Sequence, residues 1–308
     1  MRYVYGPVPS RRLGFSLGVD VVPYKTCSLD CIYCQLGRTR LKTVGRKPYT
    51  QEDAVRKEIK EALAKKQSID YITFAGSGEP TLNSDIGALI KGAKSITSLP
   101  VVVLTNGTLL FREDVRRDLA KADIVMPSLD AASQKVFENV NRPHKSLHIG
   151  TIIDGLKKFR GSYKGQIWLE IMLVKDFNND GAELLLLKKA VSEICPDKIY
   201  LNTVVRPPSE IYAKPLSQSE MISVKNFFDQ SCEVITEFHR QRVEEANNVE
   251  EAIIDMAQRR PLTIEDIANV LGVSTANAEE YVNGLKKSGK LKERQYKEEK
   301  YYSCATEK

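Results

Sequence analysis

Downstream of residue 50 the chain alternates between two hydrophobic periods. Short apolar runs, rich in β-branched residues, lie at 70–75 (DYITFA), 100–105 (PVVVLT), 123–128 (DIVMPS), 166–174 (QIWLEIMLV) and 198–205 (KIYLNTVV), and each reads as a strand. Between them, residues 50–66, 85–96, 112–122, 131–140, 147–159 and 180–194 carry apolar positions at helical spacing, with Thr50 placed to cap the first of these helices. A valine-rich run at 16–23 (SLGVDVVP) adds an earlier strand and brings the count to six. Buried strands alternating with amphipathic helices are the pattern of an α/β protein, whose parallel sheet needs cover on both faces. The first residues, 2–13, hold Pro7 and Pro9 and read as loop. After the last strand come a helix at 216–229 with Ser217 as its cap, a strand at 232–239, a polar stretch, three helices at 249–258, 263–271 and 275–288, and an alternating segment at 290–302 that reads as a hairpin. This predicts a domain over 1–240, a linker at 241–249 and a second domain over 250–308.

Between the first strand and the first helix lies Lys25-Thr26-Cys27-Ser28-Leu29-Asp30-Cys31-Ile32-Tyr33-Cys34, three cysteines spaced C-x-x-x-C-x-x-C. A thiolate triplet this close can wrap a cubane 4Fe–4S cluster but leaves one of its four irons open, since such clusters ordinarily take four cysteines. An open iron is a place for a small molecule to chelate. A zinc site would ask for a fourth Cys or His close by, and the next histidine, His144, lies far along the chain. A disulfide with a spare thiol would need an oxidising compartment, which nothing in the sequence supports.

This spacing resembles that of the radical S-adenosylmethionine (SAM) superfamily. The resemblance implies a partial (β/α)6 barrel, a 4Fe–4S cluster held by Cys27, Cys31 and Cys34, and SAM on the open iron, cleaved by an electron from the cluster to a 5'-deoxyadenosyl radical. In barrels of this kind the reactive groups sit at the C-terminal ends of the strands. The second strand ends in Gly76-Ser77-Gly78-Glu79-Pro80, similar to the family's motif for the SAM amino group, which assigns Gly78 and Glu79 to that contact. The third ends in Thr105-Asn106-Gly107, a tight turn that also places Asn106 near the cofactor. The fourth ends in Ser128-Leu129-Asp130. There Ser128 and Asp130 can meet the ribose or the methionyl carboxylate, or Asp130 can simply cap a helix from Ala131. Glu170, inside an apolar strand, needs a partner or a polar lumen, and Asn202 on the sixth strand follows the same logic. Arg206 at the barrel rim can take a carboxylate in bidentate fashion. Tyr33 resembles the aromatic that lies near the adenine, or it is plain packing.

The text YGPVPSRRLGFSLGVDVVPYKTCSLDCIYCQLG, with GSGEPTL and LEIMLVKDFN, looks like the branch grouped with the wyosine-type tRNA-base synthases, over roughly the first two thirds of the chain. The chain departs from those synthases in having no cysteine before Cys27 and too little length for an added flavin domain. Cys195, Cys232 and Cys304 have no compact ligand spacing; they can serve an auxiliary cluster or be structural. The helices and hairpin of the tail resemble a winged helix, giving the fold class as a partial (β/α)6 barrel with a small winged-helix-like α+β domain. Its candidate recognition segment, residues 274–281, offers Glu279 and Glu280 and no arginine, which speaks against specific DNA binding.

Of the 308 residues, 46 are Lys or Arg and 40 are Asp or Glu, a formal charge of +6. Nine of the basic residues but only Asp20 and Asp30 fall in the first fifty positions, flanking the cysteine loop. Such a rim suits a phosphate-bearing or acidic substrate, or an acidic electron donor of the flavodoxin or ferredoxin type. RNA, a nucleotide, a peptide or a protein are the substrate classes left open, and a DNA-binding redox sensor that never turns over is the rival from another class. No signal-peptide run or membrane-spanning apolar stretch is found, so the expected location is cytoplasmic.

Overall fold

The structure, a computed structural model, describes residues 2–10, 12–65, 68–228, 232–235 and 249–305. In chain order its elements are β1 (Val4–Ser10), β2 (Gly14–Val19), β3 (Thr26–Cys27), β4 (Leu41–Lys42), α1 (Glu52–Leu63), β5 (Tyr71–Phe74), α2 (Ile86–Lys94), β6 (Val101–Thr105), α3 (Glu113–Leu119), β7 (Ile124–Pro127), α4 (Gln134–Asn141), α5 (Ile149–Ser162), β8 (Gln166–Leu173), α6 (Gly181–Ile194), β9 (Lys198–Thr203), α7 (Gln218–Phe228), β10 (Cys232–Val234), α8 (Val249–Ala257), α9 (Ile264–Leu271), α10 (Thr275–Lys287), β11 (Leu291–Tyr296) and β12 (Glu299–Cys304). A 3₁₀ turn spans Pro80–Leu82.

The main sheet has eight strands in the order β1-β2-β5-β6-β7-β8-β9-β10. The six predicted strands lie side by side in sequence order, parallel throughout, and among the described residues the two ends of the sheet do not pair, which leaves a partial barrel. Strand alternation sorts the side chains. In β8, Ile167, Leu169, Ile171 and Leu173 join the core under the helices, whereas Trp168 packs inside the barrel with Leu13, Val102, Ile124, Met126 and Tyr200. α1 buries Val55, Ile59 and Ala62, places Glu52 and Asp53 in its first turn and Lys60 in its last, and so satisfies both the sheet and its own dipole.

Several sequence expectations need correction. Residues 4–10 are a strand, not a loop: β1 pairs antiparallel with β2, and because β1 is an edge strand its prolines cost no central ladder bond. Thr50 does not cap α1. Gln51 occupies that position without a side-chain bond, while Thr50 Oγ1 accepts from Asn83 Nδ2 at 3.1 Å. Asp130 caps nothing either, because α4 begins at Gln134 behind Ser133, whose hydroxyl accepts from the Val136 N–H. The strand expected over 232–239 is described only as β10, which adds to the sheet beside β9. Of the expected linker, residues 241–248 lie outside the described residues, and Val249 already belongs to α8.

The C-terminal segment has a core of its own, built on Ile253, Met256, Leu262, Ile267, Leu271, Val282, Leu285 and Tyr302. Thr263 and Asp266 form a capping box on α9, Gly272 closes that helix at φ 69°, and Ser274 caps α10. The β11–β12 hairpin is completed by a bridge from Leu262 to Tyr302. The segment docks on the barrel through β1 and the strand ends. Arg206 holds Asp266 at 3.0 Å, the Tyr301 hydroxyl donates to the Val205 carbonyl at 3.0 Å, and the Arg259 guanidinium lies 4.4 Å from the Tyr5 ring centre.

Candidate active site at the barrel mouth

The cysteine loop leaves β2 and is drawn tight by pairing of β3 with β4. Leu29 and Ile32 anchor it in the core, and the Asp30 carboxylate accepts from the Thr39 N–H at 2.6 Å. Each of the three sulfurs meets a nitrogen donor. Cys27 Sγ accepts from the Leu29 N–H and from Asn106 Nδ2, both at 3.5 Å. Cys31 Sγ accepts from Asn141 Nδ2 at 3.4 Å, and Cys34 Sγ from Lys25 Nζ at 3.1 Å. Donors aimed at sulfur stabilise thiolate, the form that ligates metal. Burial, with the nearby Glu79 carboxylate, pushes the Cys27 thiol up to about 12, and burial beside Asp130 raises Cys31 as well, with the Leu29 N–H and Asn141 pulling the other way.

Among the described residues no three His, Cys, Asp or Glu side chains converge on one point, as a single ion would require. A cubane cluster makes a different demand, spreading its thiolate ligands over separate irons, and the donor set of three thiols backed by amide and ammonium groups fits that demand. Cys195 follows α6, Cys232 opens β10 and Cys304 ends β12, the first exposed and the second buried.

Gly78 lets the second strand end approach the loop, since a Cβ there would fall 2.2 Å from the Thr26 carbonyl oxygen. The following Glu79 N–H donates to that same oxygen at 3.0 Å. The Glu79 side chain, 2% exposed, accepts from the Thr81 N–H at 3.0 Å, the Thr81 hydroxyl at 2.5 Å, the Thr105 hydroxyl at 2.7 Å and the Asn106 N–H at 2.7 Å. Burial raises its carboxyl pKa, against the pull of these bonds. Four protein donors make Glu79 a brace between the second and third strand ends.

Asp130 is the other hub. Its Oδ2 accepts from the Tyr33 hydroxyl and from Asn141 Nδ2 at 2.7 Å, and its Oδ1 from the Met172 N–H at 2.9 Å. Cys27, Cys31, Tyr33, Asn106, Ser128 and Asp130 line one small cavity of about 70 Å3. Cys34 turns instead toward Lys25. Glu170 and Asn202 are together but elsewhere: Asn202 Nδ2 donates to Glu170 Oε1 at 2.9 Å, and Arg12 pairs with the same carboxylate. Ser128 and Glu170 meet through a backbone bridge. Arg206 finds its bidentate carboxylate within the chain, in Asp266.

Sequence reasoning did not single out Lys25 or Asn141. Lys25 lies two residues before Cys27, so its nearness to the motif carried a signal. Asn141 carried none, because the turn after α4 brings it to Cys31 only in the folded chain.

The sequence pattern of the radical SAM superfamily matches residues 21–187, more than half of the chain. The chain belongs to the radical SAM superfamily. It is 33% identical over 309 residues to the UPF0026 protein MJ1312 of Methanocaldococcus jannaschii, covering 98% of this chain and 96% of that one. It is 41% identical over 294 residues to a Brachyspira hyodysenteriae protein named GTPase Obg, covering 94% of this chain but only 43% of that protein's length. Among solved structures the fold matches Streptococcus suis SuiB bound to S-adenosylmethionine, with a TM-score of 0.55 at 14% identity over 71% of this chain and 50% of that one. It also matches anSMEcpe with bound AdoMet, with a TM-score of 0.52 at 18% identity over 70% and 59%. The chain is thus a radical SAM enzyme by family and a partial barrel with an added C-terminal α/β segment by fold. No helix of the described residues is long and apolar enough to cross a membrane.

Proposed function

We propose that this radical SAM enzyme holds a 4Fe–4S cluster on Cys27, Cys31 and Cys34 and uses it to modify a nucleotide or RNA base. The observation that carries the reading is the nitrogen donor aimed at every loop sulfur. When bound, the cluster supplies an electron that cleaves SAM reductively and delivers a 5'-deoxyadenosyl radical. Tyr33, Asn106, Ser128 and Asp130, on the cavity beside Cys27 and Cys31, would contact the cofactor. Gly78 would bring backbone close to it, and Glu79 would act by holding Asn106 and Thr105 in place. Glu170 and Asn202 would position the cofactor's far side through the Arg12 pair.

The C-terminal segment is read as a winged-helix-like domain over 250–308, supported by the helix order, the α9–α10 turn at Gly272 and the hairpin. The resemblance around the cysteine loop supports a place near the wyosine-type branch. The basic residues that flank the loop support a nucleic-acid or nucleotide substrate and an acidic flavodoxin or ferredoxin-type donor. The test is anaerobic reconstitution followed by addition of dithionite and SAM. Brown visible absorbance and release of 5'-deoxyadenosine are expected, and both are expected to vanish when the three loop cysteines are replaced by alanine. Absorbance that survives that replacement would refute the ligand set.

A further inference from the structure

A cavity of about 910 Å3 lies between the cysteine loop and the C-terminal segment. We infer that it binds a nucleotide-class ligand, a planar ring carrying phosphate; this rests on the reading above and assigns that substrate a cavity of its own.

Charge selects an anion. Arg2, Arg40, Arg259, Arg260, Lys292 and Arg294 line the cavity against two carboxylates, Asp20 and Glu293. Glu293 is taken by Lys286 and by Lys300 at 3.3 Å. Arginine forks suit phosphate oxygens in particular. Lys292 and Arg294 are two residues apart on β11 and so share a face of the hairpin, the face that also carries their cross-strand partners Ser303 and Tyr301. All four line the cavity, so this face of the hairpin is turned toward the barrel.

Flat walls select a ring. The Tyr24 ring is held by its hydroxyl, which donates to the Leu36 carbonyl at 3.1 Å, and has the Arg40 guanidinium 5.1 Å from its centre. Tyr301 is held in the same way on the Val205 carbonyl. Aromatic faces backed by guanidinium groups accept bases by stacking. The floor is built and buried: Asp20 and Arg259 side chains are 9% and 5% exposed and stand 3.9 Å apart. Asp20 Oδ2 accepts from the Ser77 N–H and hydroxyl, while Asp20 Oδ1 and Arg259 Nε have no hydrogen-bond partner. Together they offer an acceptor for a ribose hydroxyl or ring amine beside a donor for an oxygen. The volume is that of ordinary small-ligand sites. Gln35, next to Cys34, and Ser77, next to Gly78, also line it, so a ligand held there borders the proposed reaction centre.

The test uses the full chain, reconstituted anaerobically, and measures equilibrium binding of AMP, GMP, CMP and UMP, with adenosine and inorganic phosphate as controls. At least one nucleotide is expected to bind with a dissociation constant below about 1 mM, at least tenfold tighter than either control. The double variant K292A/R294A is expected to lose at least tenfold in affinity, and the charge-keeping K292R/R294K to retain it, with far-UV circular dichroism unchanged in both. A single-stranded octanucleotide that binds tighter than its mononucleotide would mean the nucleotide arrives within RNA; equal or weaker binding would mean it arrives free. The inference is overturned if none of the four nucleotides binds, if K292A/R294A binds as the wild type does, or if SAM competes for the site. Wild-type protein that releases 5'-deoxyadenosine yet binds no nucleotide would sink this inference and leave the cluster chemistry standing, whereas nucleotide binding without 5'-deoxyadenosine release would uphold the cavity and sink the reaction.

Discussion

Of the buried carboxylates near the mouth of this barrel, Glu79 and Asp20 are treated in opposite ways. Glu79, between the second and third strand ends, receives four hydrogen bonds from its own chain. Asp20, under the C-terminal segment, receives its bonds on one oxygen only and faces Arg259 at 3.9 Å. Desolvation costs a carboxylate several kcal/mol unless donors replace its water. Glu79 is therefore committed to the scaffold, and Asp20 retains capacity to receive something further. The same contrast separates the two regions as wholes: the cysteine-loop shell is closed on itself, and the seam beneath the C-terminal segment holds the large cavity.

The largest test of that contrast is at Glu79. Replacement by alanine strands the donors of Thr81, Thr105 and Asn106 and is expected to cost about 3 kcal/mol in denaturant unfolding, with glutamine costing less. A Glu79→Ala change under 1 kcal/mol would erase the distinction drawn here.

The next concerns the seam. Burial alone would raise the Asp266 carboxyl, but Arg260 and Arg206 outweigh it and pull the pKa down to about 2. A depressed carboxyl stabilises the fold above its unfolded value, about 3.9, and that contribution is lost as pH falls toward the folded value. Asp266→Asn is thus expected to lose about 2 kcal/mol at pH 7, and the gap to the wild type is expected to close as pH drops from about 4 to about 2. Unfolding curves at pH 7 and pH 3 read this directly, and a gap of constant size would show that Asp266 acts by packing instead.

The smallest applies one lesion to each region. Asp180 caps α6 in the barrel through the Ala182 and Glu183 N–H groups, and Ser274 caps α10 through the Asn277 N–H. Alanine at either is expected to cost about 1 kcal/mol. Because Val8 of β1 packs into the C-terminal core, both changes are expected to shift one shared calorimetric transition. A second transition moved by Ser274→Ala alone would show that the segment unfolds by itself.

The α/β framework was legible because its signals are local: valine-rich runs for strands, helical spacing between them, and three cysteines within eight residues. The strand ends could be located for the same reason. What escaped was decided by tertiary contact. Pro7 and Pro9 read as loop, yet an edge strand tolerates them. Glu170 was rightly placed in want of a partner, but nothing local names Arg12 as that partner. Arg206 looked like a ligand's counter-ion until the C-terminal segment brought Asp266 to it. Asn141 joins Cys31 to Asp130 from a helix end whose local pattern signals nothing but its own termination.

Tyr5 is pressed from two sides. A Cβ on Gly18 would fall 2.0 Å from its ring, so only glycine lets the ring approach β2 this closely, and the Arg259 guanidinium lies 4.4 Å from the ring centre. One aromatic plane is therefore the hinge pin shared by the opening strand and the closing segment. Loosening it at Gly18 would be felt more than two hundred positions downstream, which makes this glycine a natural handle for tuning how firmly the cavity is lidded.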